Sequence, residues 1–161
     1  MKRMVATLSL LIAGAALVAA ETVMVAVNEG APPPEEEPSA RYYLSAAEAG
    51  AMDVFFDAGH IVFNAGTYSL DEEESVEKRY EVRSMARDGG AGYALHIEMA
   101  FDRPGPETIR PRSARYTMMA TSGSRVIKSG TVSIDGDTDE APEQLSFKAG
   151  KEIAQAILSA W

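Results

Sequence analysis

The stretch Tyr93-Ala94-Leu95-His96-Ile97-Glu98-Met99-Ala100-Phe101 decides how this chain folds. Its large apolar side chains fall at every second position and alternate with small or polar ones. That is the period of a β-strand buried on one face and mixed on the other. On its amino-terminal side Gly89, Gly90 and Gly92 break whatever precedes it. On its carboxyl side Pro104, Gly105, Pro106 and Pro111 place a loop over residues 102–112, because proline removes a ladder donor and fixes its own backbone angle.

Working outward from that strand, residues 71–88 read as a helix. Tyr80, Val82 and Met85 do not choose between periods of 2 and 3.6, but acids at 71–74 suit a helix amino end and Arg83 and Arg87 its carboxyl end. Residues 60–65, His-Ile-Val-Phe-Asn-Ala, make a short strand ended by Gly66. Before it, Leu44, Ala47, Ala51, Val54, Phe55 and Ala58 share a helical face over residues 45–58. Ser45 and Glu48 have the capping-box spacing there, and Gly59 can take a left-handed stop. Thr22 to Val27 is β-rich and forms a first strand. Between strand and helix, residues 29–40 pack four prolines around Glu35, Glu36 and Glu37, a solvated loop. Downstream, residues 113–121 and 125–134 are strands joined through Ser122-Gly123-Ser124, where a tight hairpin wants glycine. An acidic loop comes next, over 135–140. Pro142 then opens a last helix whose inner face carries Ala149, Ile153, Ala156, Ile157 and Ala160, extended by Trp161. The order β-α-β-α-β-β-β-α, without an internal repeat or a splitting linker, predicts one α/β (α+β) domain over residues 21–161, with helices packed on a mixed sheet.

The chain has 161 residues, 46% of them hydrophobic, enough for one domain with a real core. Fifteen basic and 24 acidic side chains leave a net charge of −9. Duplex nucleic acid is therefore a poor partner, since binding it means neutralising phosphates with clustered Lys and Arg. The absence of cysteine removes disulfides, thiol nucleophiles, thiolate metal sites and lipid attachment at a cysteine. Two histidines exclude a multi-histidine metal centre and leave a mixed His/carboxylate site open. Residues 1–20 carry Lys2 and Arg3, an apolar run, and Val18-Ala19-Ala20. This is the pattern of a secretory signal peptide cleaved after Ala20, the alternative being an uncleaved anchor. The run falls short of the about 20 apolar residues a comfortable span needs. Cleavage would release a periplasmic or secreted chain beginning at Glu21 and would take the charge from −9 to −11 by removing Lys2 and Arg3.

Few residues point to chemistry. His96 and Glu98 lie two apart on one strand face and, with Asp57 or His60, are the candidates for acid/base work or a small-ligand site, although no nucleophile accompanies them. Asp135, Asp137 and Asp139 alternate as a calcium loop begins, but Glu140 stands where glycine is required and Ser146 where the bidentate carboxylate belongs. Gly89-Gly90-Ala91-Gly92 lies between helix and strand, the reverse of a phosphate-binding turn, and serves as a helix stop. No cofactor motif, metal site or nucleophile elbow is present. Arg103, Arg110, Arg112, Arg115 and Arg125 gather around the loop at 102–112 and the strands after it, while the acids lie at 35–37, 71–74 and 135–140. Such polarity suits a contact surface for an envelope protein or an anionic polymer.

The passage Ala86-Arg87-Asp88-Gly89-Gly90-Ala91-Gly92-Tyr93-Ala94-Leu95-His96-Ile97-Glu98 resembles the helix, glycine turn and strand of a group of small bacterial envelope domains. The group comprises the amino-terminal domain of TolB, CsgG and the LpoB-type activators. The strand pair from Tyr116 to Ile134 and the closing Ala149-Gly150-Lys151-Glu152-Ile153-Ala154 are similar to the later strands and closing helix of those domains. Gly92 stands where those families commonly have Asp, the first strand lacks their Pro-Phe ending, and there is no cysteine to carry a lipid anchor. The resemblance implies a protein-binding or scaffolding domain of the cell envelope without catalysis, its oligomeric state open. Self-association through a sheet edge is a further possibility.

Overall fold

Eight elements succeed one another in the expected order: β1 (Thr22–Glu29), α1 (Arg41–Asp57), β2 (Ile61–Asn64), α2 (Ser75–Asp88), β3 (Tyr93–Gly105), β4 (Thr108–Ala120), β5 (Val126–Ser133) and α3 (Pro142–Leu158). The computed structural model describes residues 20–30, 40–65, 75–105, 108–123, 125–135 and 140–161. The expected signal peptide (save Ala20), most of the Pro/Glu loop, the acids at 71–74, and Asp137 and Asp139 lie outside the described residues.

The strands form one mixed sheet in the order β2-β1-β3-β4-β5. β1 runs parallel to both β2 and β3, and β3, β4 and β5 are antiparallel. Two crossovers therefore leave and return across β1 in opposite directions. With the same right-handed turn, each lands its helix on a different face of the sheet. α1, joined there by α3, covers one face with Phe55, Ala51 and Ile153 over Val23, Val25, Leu95, Ile97 and Met99. α2 covers the other with Val82 and Ala86 over Met24, Ala26, Ala94 and Met119.

Contact between α1 and α3 is unusually close. A Cβ at Gly150 would lie 2.0 Å from the Ala47 carbonyl oxygen, and one at Gly50 would lie 2.1 Å from that of Phe147. Only glycine permits this backbone approach, so the pair sets the helix spacing. Gly59 and Gly90 carry the positive φ angles, 88° and 79°, that end α1 and α2. Behind Gly90, Thr121 donates its hydroxyl to the Ala91 carbonyl at 2.7 Å, tying the turn to the end of β4.

Several boundaries differ from the sequence expectation. The loop over 102–112 is mostly strand: β3 continues to Gly105 and β4 begins at Thr108. Pro111 is accommodated at an irregularity, where the register steps from Ala100↔Ser113 to Phe101↔Pro111 and leaves Arg112 as the extra residue of a β-bulge. Ser45 does not cap α1. The helix starts four residues earlier because buried Ala40 accepts the Tyr43 and Leu44 amides through its own carbonyl. On α3, Leu145, Ser146, Gly150 and Ala154 complete the buried face, while Ala160 is exposed.

Candidate functional site

On the α2 face the sheet reads as successive rows across its strands. Met24, Ala94, Met119 and Val126 form one row; Ala26, His96, Thr117 and Ser129 the next; Asn28, Glu98, Arg115 and Thr131 the third. Met24, Ala94 and Met119 of the first row pack against α2, and Val126 at its edge is exposed. The third is polar and leads into a cavity of about 420 Å³ lined by Glu29, Glu98, Arg103, Arg112, Arg115 and Thr131, among others. Each row lies one pleat repeat further from the apolar cluster under α2, so polarity rises where the cover ends.

His96 belongs to the middle row and is 1% exposed. Asn28 donates its amide to the Glu29 carbonyl at 2.8 Å, which turns Oδ1 toward the ring. His96 Nε2 then carries the proton and donates it to Asn28 Oδ1 at 2.5 Å. Nδ1 is buried without a partner among the described residues. Burial, with the positive charges of Arg79 and Lys78 adding to it, lowers the imidazole pKa to about 4. It is a neutral core histidine with no route to a substrate.

His60 sits elsewhere. It stacks on Trp161 with centroids 4.9 Å apart, meets Phe55 edge-on at 6.1 Å, and accepts the Glu21 amide at Nδ1. These partners belong to the α1/α3 side, near the start of β2, whereas His96 shares the opposite face with Ala94. The sheet thus separates the two histidines, and Asp57 is exposed at the end of α1. Glu98 lies one row beyond His96 on the same face, beside Asn28, and pairs with Arg115 at 3.8 Å. The acid/base or small-ligand constellation expected of His96, Glu98, His60 and Asp57 does not assemble. Among the described residues no group of three or more His, Cys, Asp or Glu could hold a metal ion.

Three of the five arginines meet at the cavity, and each has an acid beside it. Arg103 lies 2.5 Å from Glu29, with both side chains mostly buried, 17% and 13% exposed. Arg112 lies 3.4 Å from Asp102 and Arg115 3.8 Å from Glu98; the two guanidinium side chains are 63% and 67% exposed. The first pair is a fixed wall, Arg112–Asp102 is a loose rim pair exposed on both sides and screened by solvent, and in the third an exposed Arg115 reaches over a Glu98 side chain that is only 12% exposed. Arg110 does not line the cavity; it donates to the Glu140 carbonyl at 3.2 Å. Arg125 stands at the far end of β4, its carbonyl accepting the Ala120 amide. The bulge separates Arg112 from Arg110, and the length of the hairpin separates both from Arg125. The sequence offers Glu98 only as a partner for His96 and gives no sign of Glu29 or Asp102, because these are strand positions whose register a composition does not reveal. Pro111 inside a strand was the available signal for the bulge.

Fold and groove define a small mixed α/β domain whose sheet, among the described residues, is covered along one face and left open at one end of the other. Among solved structures the chain is similar to PelC from Paraburkholderia phytofirmans, a dodecamer, at 16% identity over 85% of this chain and 86% of that one, with a TM-score of 0.51. It also matches the LpoB C-terminal domain from Escherichia coli, at 16% identity over 75% of this chain and 87% of that one, with a TM-score of 0.48. Lipoprotein GNA1162 from Neisseria meningitidis matches at 15% identity over 86% and 99% of the two chains, with a TM-score of 0.45. At such identities the likeness is one of fold. No protein-family model matches the sequence, and no curated protein matches it. No helix among the described residues is long and apolar enough to cross a membrane.

Proposed function

We propose that this chain is an exported, non-enzymatic interaction domain of the bacterial cell envelope, of the kind typified by TolB amino-terminal, CsgG and LpoB-like domains. It docks its partner, an envelope protein or an anionic envelope polymer, through Arg103, Arg112 and Arg115. The observation that carries this reading is the contrast in access. The groups suited to acid/base work are buried or on opposite faces of the sheet, while two-thirds-exposed guanidinium groups gather at one open groove. The fold likeness to PelC supports it, as does the export pattern at residues 1–20.

Recovery of envelope components with the purified chain, compared with an Arg112→Ser/Arg115→Ser double variant, tests the reading. A specific component retained by the parent should be depleted about tenfold with the variant, the loss of charge-assisted hydrogen bonds. Equal recovery would sink the assignment of the groove. Amino-terminal sequencing of the exported protein should begin at Glu21 if the signal is removed as expected.

A further inference from the structure

We infer that the groove binds an acidic carbohydrate, its carboxylates held by the forks of Arg112 and Arg115 and its hydroxyls by the adjoining strand side chains. This rests on the groove being the docking site proposed above and names the chemistry of what docks there.

The two rim arginines are available for exchange. Their acid partners stand at 3.4 and 3.8 Å, beyond good hydrogen-bond length, and the arginine side chains are 63% and 67% exposed, Arg112 over an exposed Asp102 and Arg115 over a Glu98 held in the lining. A ligand carboxylate that accepts two parallel N–H bonds from a guanidinium offers a better partner than either loose pair. Arg103 stays in the wall, held by Glu29. The bulge places Arg112 beside Ser113 and Arg115 in the lining, so two guanidinium groups share one cavity. Lys78 and Arg79 add positive potential on the same face, where both bear on His96.

The surroundings select a sugar over a protein segment. Ser113 and Thr131 line the cavity, and Ser129 and Ser133 lie exposed along the same edge strand, a run of hydroxyls that can both donate and accept. Protein docking surfaces centre on large buried apolar anchors. Here the exposed large apolar side chains among the described residues, Tyr42, Phe56, Ile61, Tyr80, Val126 and Trp161, do not line the groove. The volume, about 420 Å³, falls in the range of small-ligand sites, and its open side lets a chain run across it.

Calorimetric titration of the purified full chain with oligogalacturonate tests this, with neutral galactan oligomers, poly-glutamate and polyphosphate of matched length as the other arms. Oligogalacturonate should bind, galactan should not, and binding should weaken as salt rises. Arg112→Ser and Arg115→Ser should each weaken it about tenfold, with circular dichroism and urea midpoints unchanged to exclude misfolding. Absence of oligogalacturonate binding would overturn the inference. So would equal binding of poly-glutamate or polyphosphate, which would mark a site that reads charge alone. In either case an Arg112/Arg115-dependent envelope component could still be recovered, leaving the docking role intact.

Discussion

The two faces of the sheet are built to different standards. Beneath α1 and α3 the strands present Val23, Val25, Leu95, Ile97, Met99 and Met118, all fully buried, and the covering helices approach to backbone contact at Gly50 and Gly150. Beneath α2 the buried set is smaller, Met24, Ala26, Val82, Ala86, Ala94 and Met119, and the next row already holds His96 and Thr117. Two helices cover one face because the chain ends on a third helix that returns to α1's side. Among the described residues a single helix of 14 residues covers the other. At about 1.5 Å per residue, that helix spans roughly 21 Å, whereas the 13 residues of β3 at about 3.3 Å each span roughly 43 Å. The mismatch leaves about half of the long β3–β4 hairpin without a helix over it among the described residues. A groove results from this arithmetic, and the residues in it decide what it does.

The comparison can be broken from its stronger side. Phe55→Ala, at the centre of the sealed face, should cost about 3–5 kcal/mol in urea unfolding, against about 2 kcal/mol for Val82→Ala on the other. Equal losses would mean that the two layers carry equal weight. Gly150→Ala should cost about 3 kcal/mol, since the added methyl forces the helices apart. An unchanged midpoint would show that α1 and α3 can slide without penalty.

His96 sharpens the weaker side. In the unfolded chain its pKa is about 6.5, while burial in the fold lowers it to about 4. Between those values the unfolded chain binds a proton that the folded one refuses, so stability falls as pH drops from about 6.5 to about 4 and no further below that window. The loss is on the order of 3 kcal/mol. His96→Gln should flatten this part of a urea-midpoint profile by one proton's worth of slope; the same slope in both proteins would mean that His96 is not held neutral. The smallest effect belongs to the groove's rim. Arg115→Ser should change stability by less than about 0.5 kcal/mol while altering ligand binding.

Element order was legible because the alternation in β3, the glycine stop before it and the helix stripes repeat the periods of their structures. The extent of the β3–β4 hairpin was not. Pro104 and Pro111 signal a loop locally, and the pairing of β3 with β4, continued by β5 where Ile134 donates to the Arg112 carbonyl at 2.9 Å, overrides that preference. The arginines were visible as a group, but their division was not, since it depends on a bulge and on which way the strands face. Gly50 and Gly150 passed unremarked for a related reason: a glycine inside a helix reads as a weak helix former until the neighbouring backbone is in place. Glu29 and Arg103, 74 positions apart, meet only through the parallel pairing of β1 with β3.

Trp161 is the single tryptophan of the chain, and it closes the end of the molecule opposite the groove. Its indole stacks on His60 and takes Tyr93 and Phe55 edge-on at 4.7 and 6.0 Å. Loss of the stacked ring and of energy transfer from a neighbouring phenol both register in indole emission. The protein therefore carries an intrinsic optical gauge of whether α3 remains seated on the start of β2, located where a ligand held by Arg112 and Arg115 leaves the signal undisturbed. Emission and calorimetry on the same sample would report integrity and occupancy through separate channels, without any label being introduced.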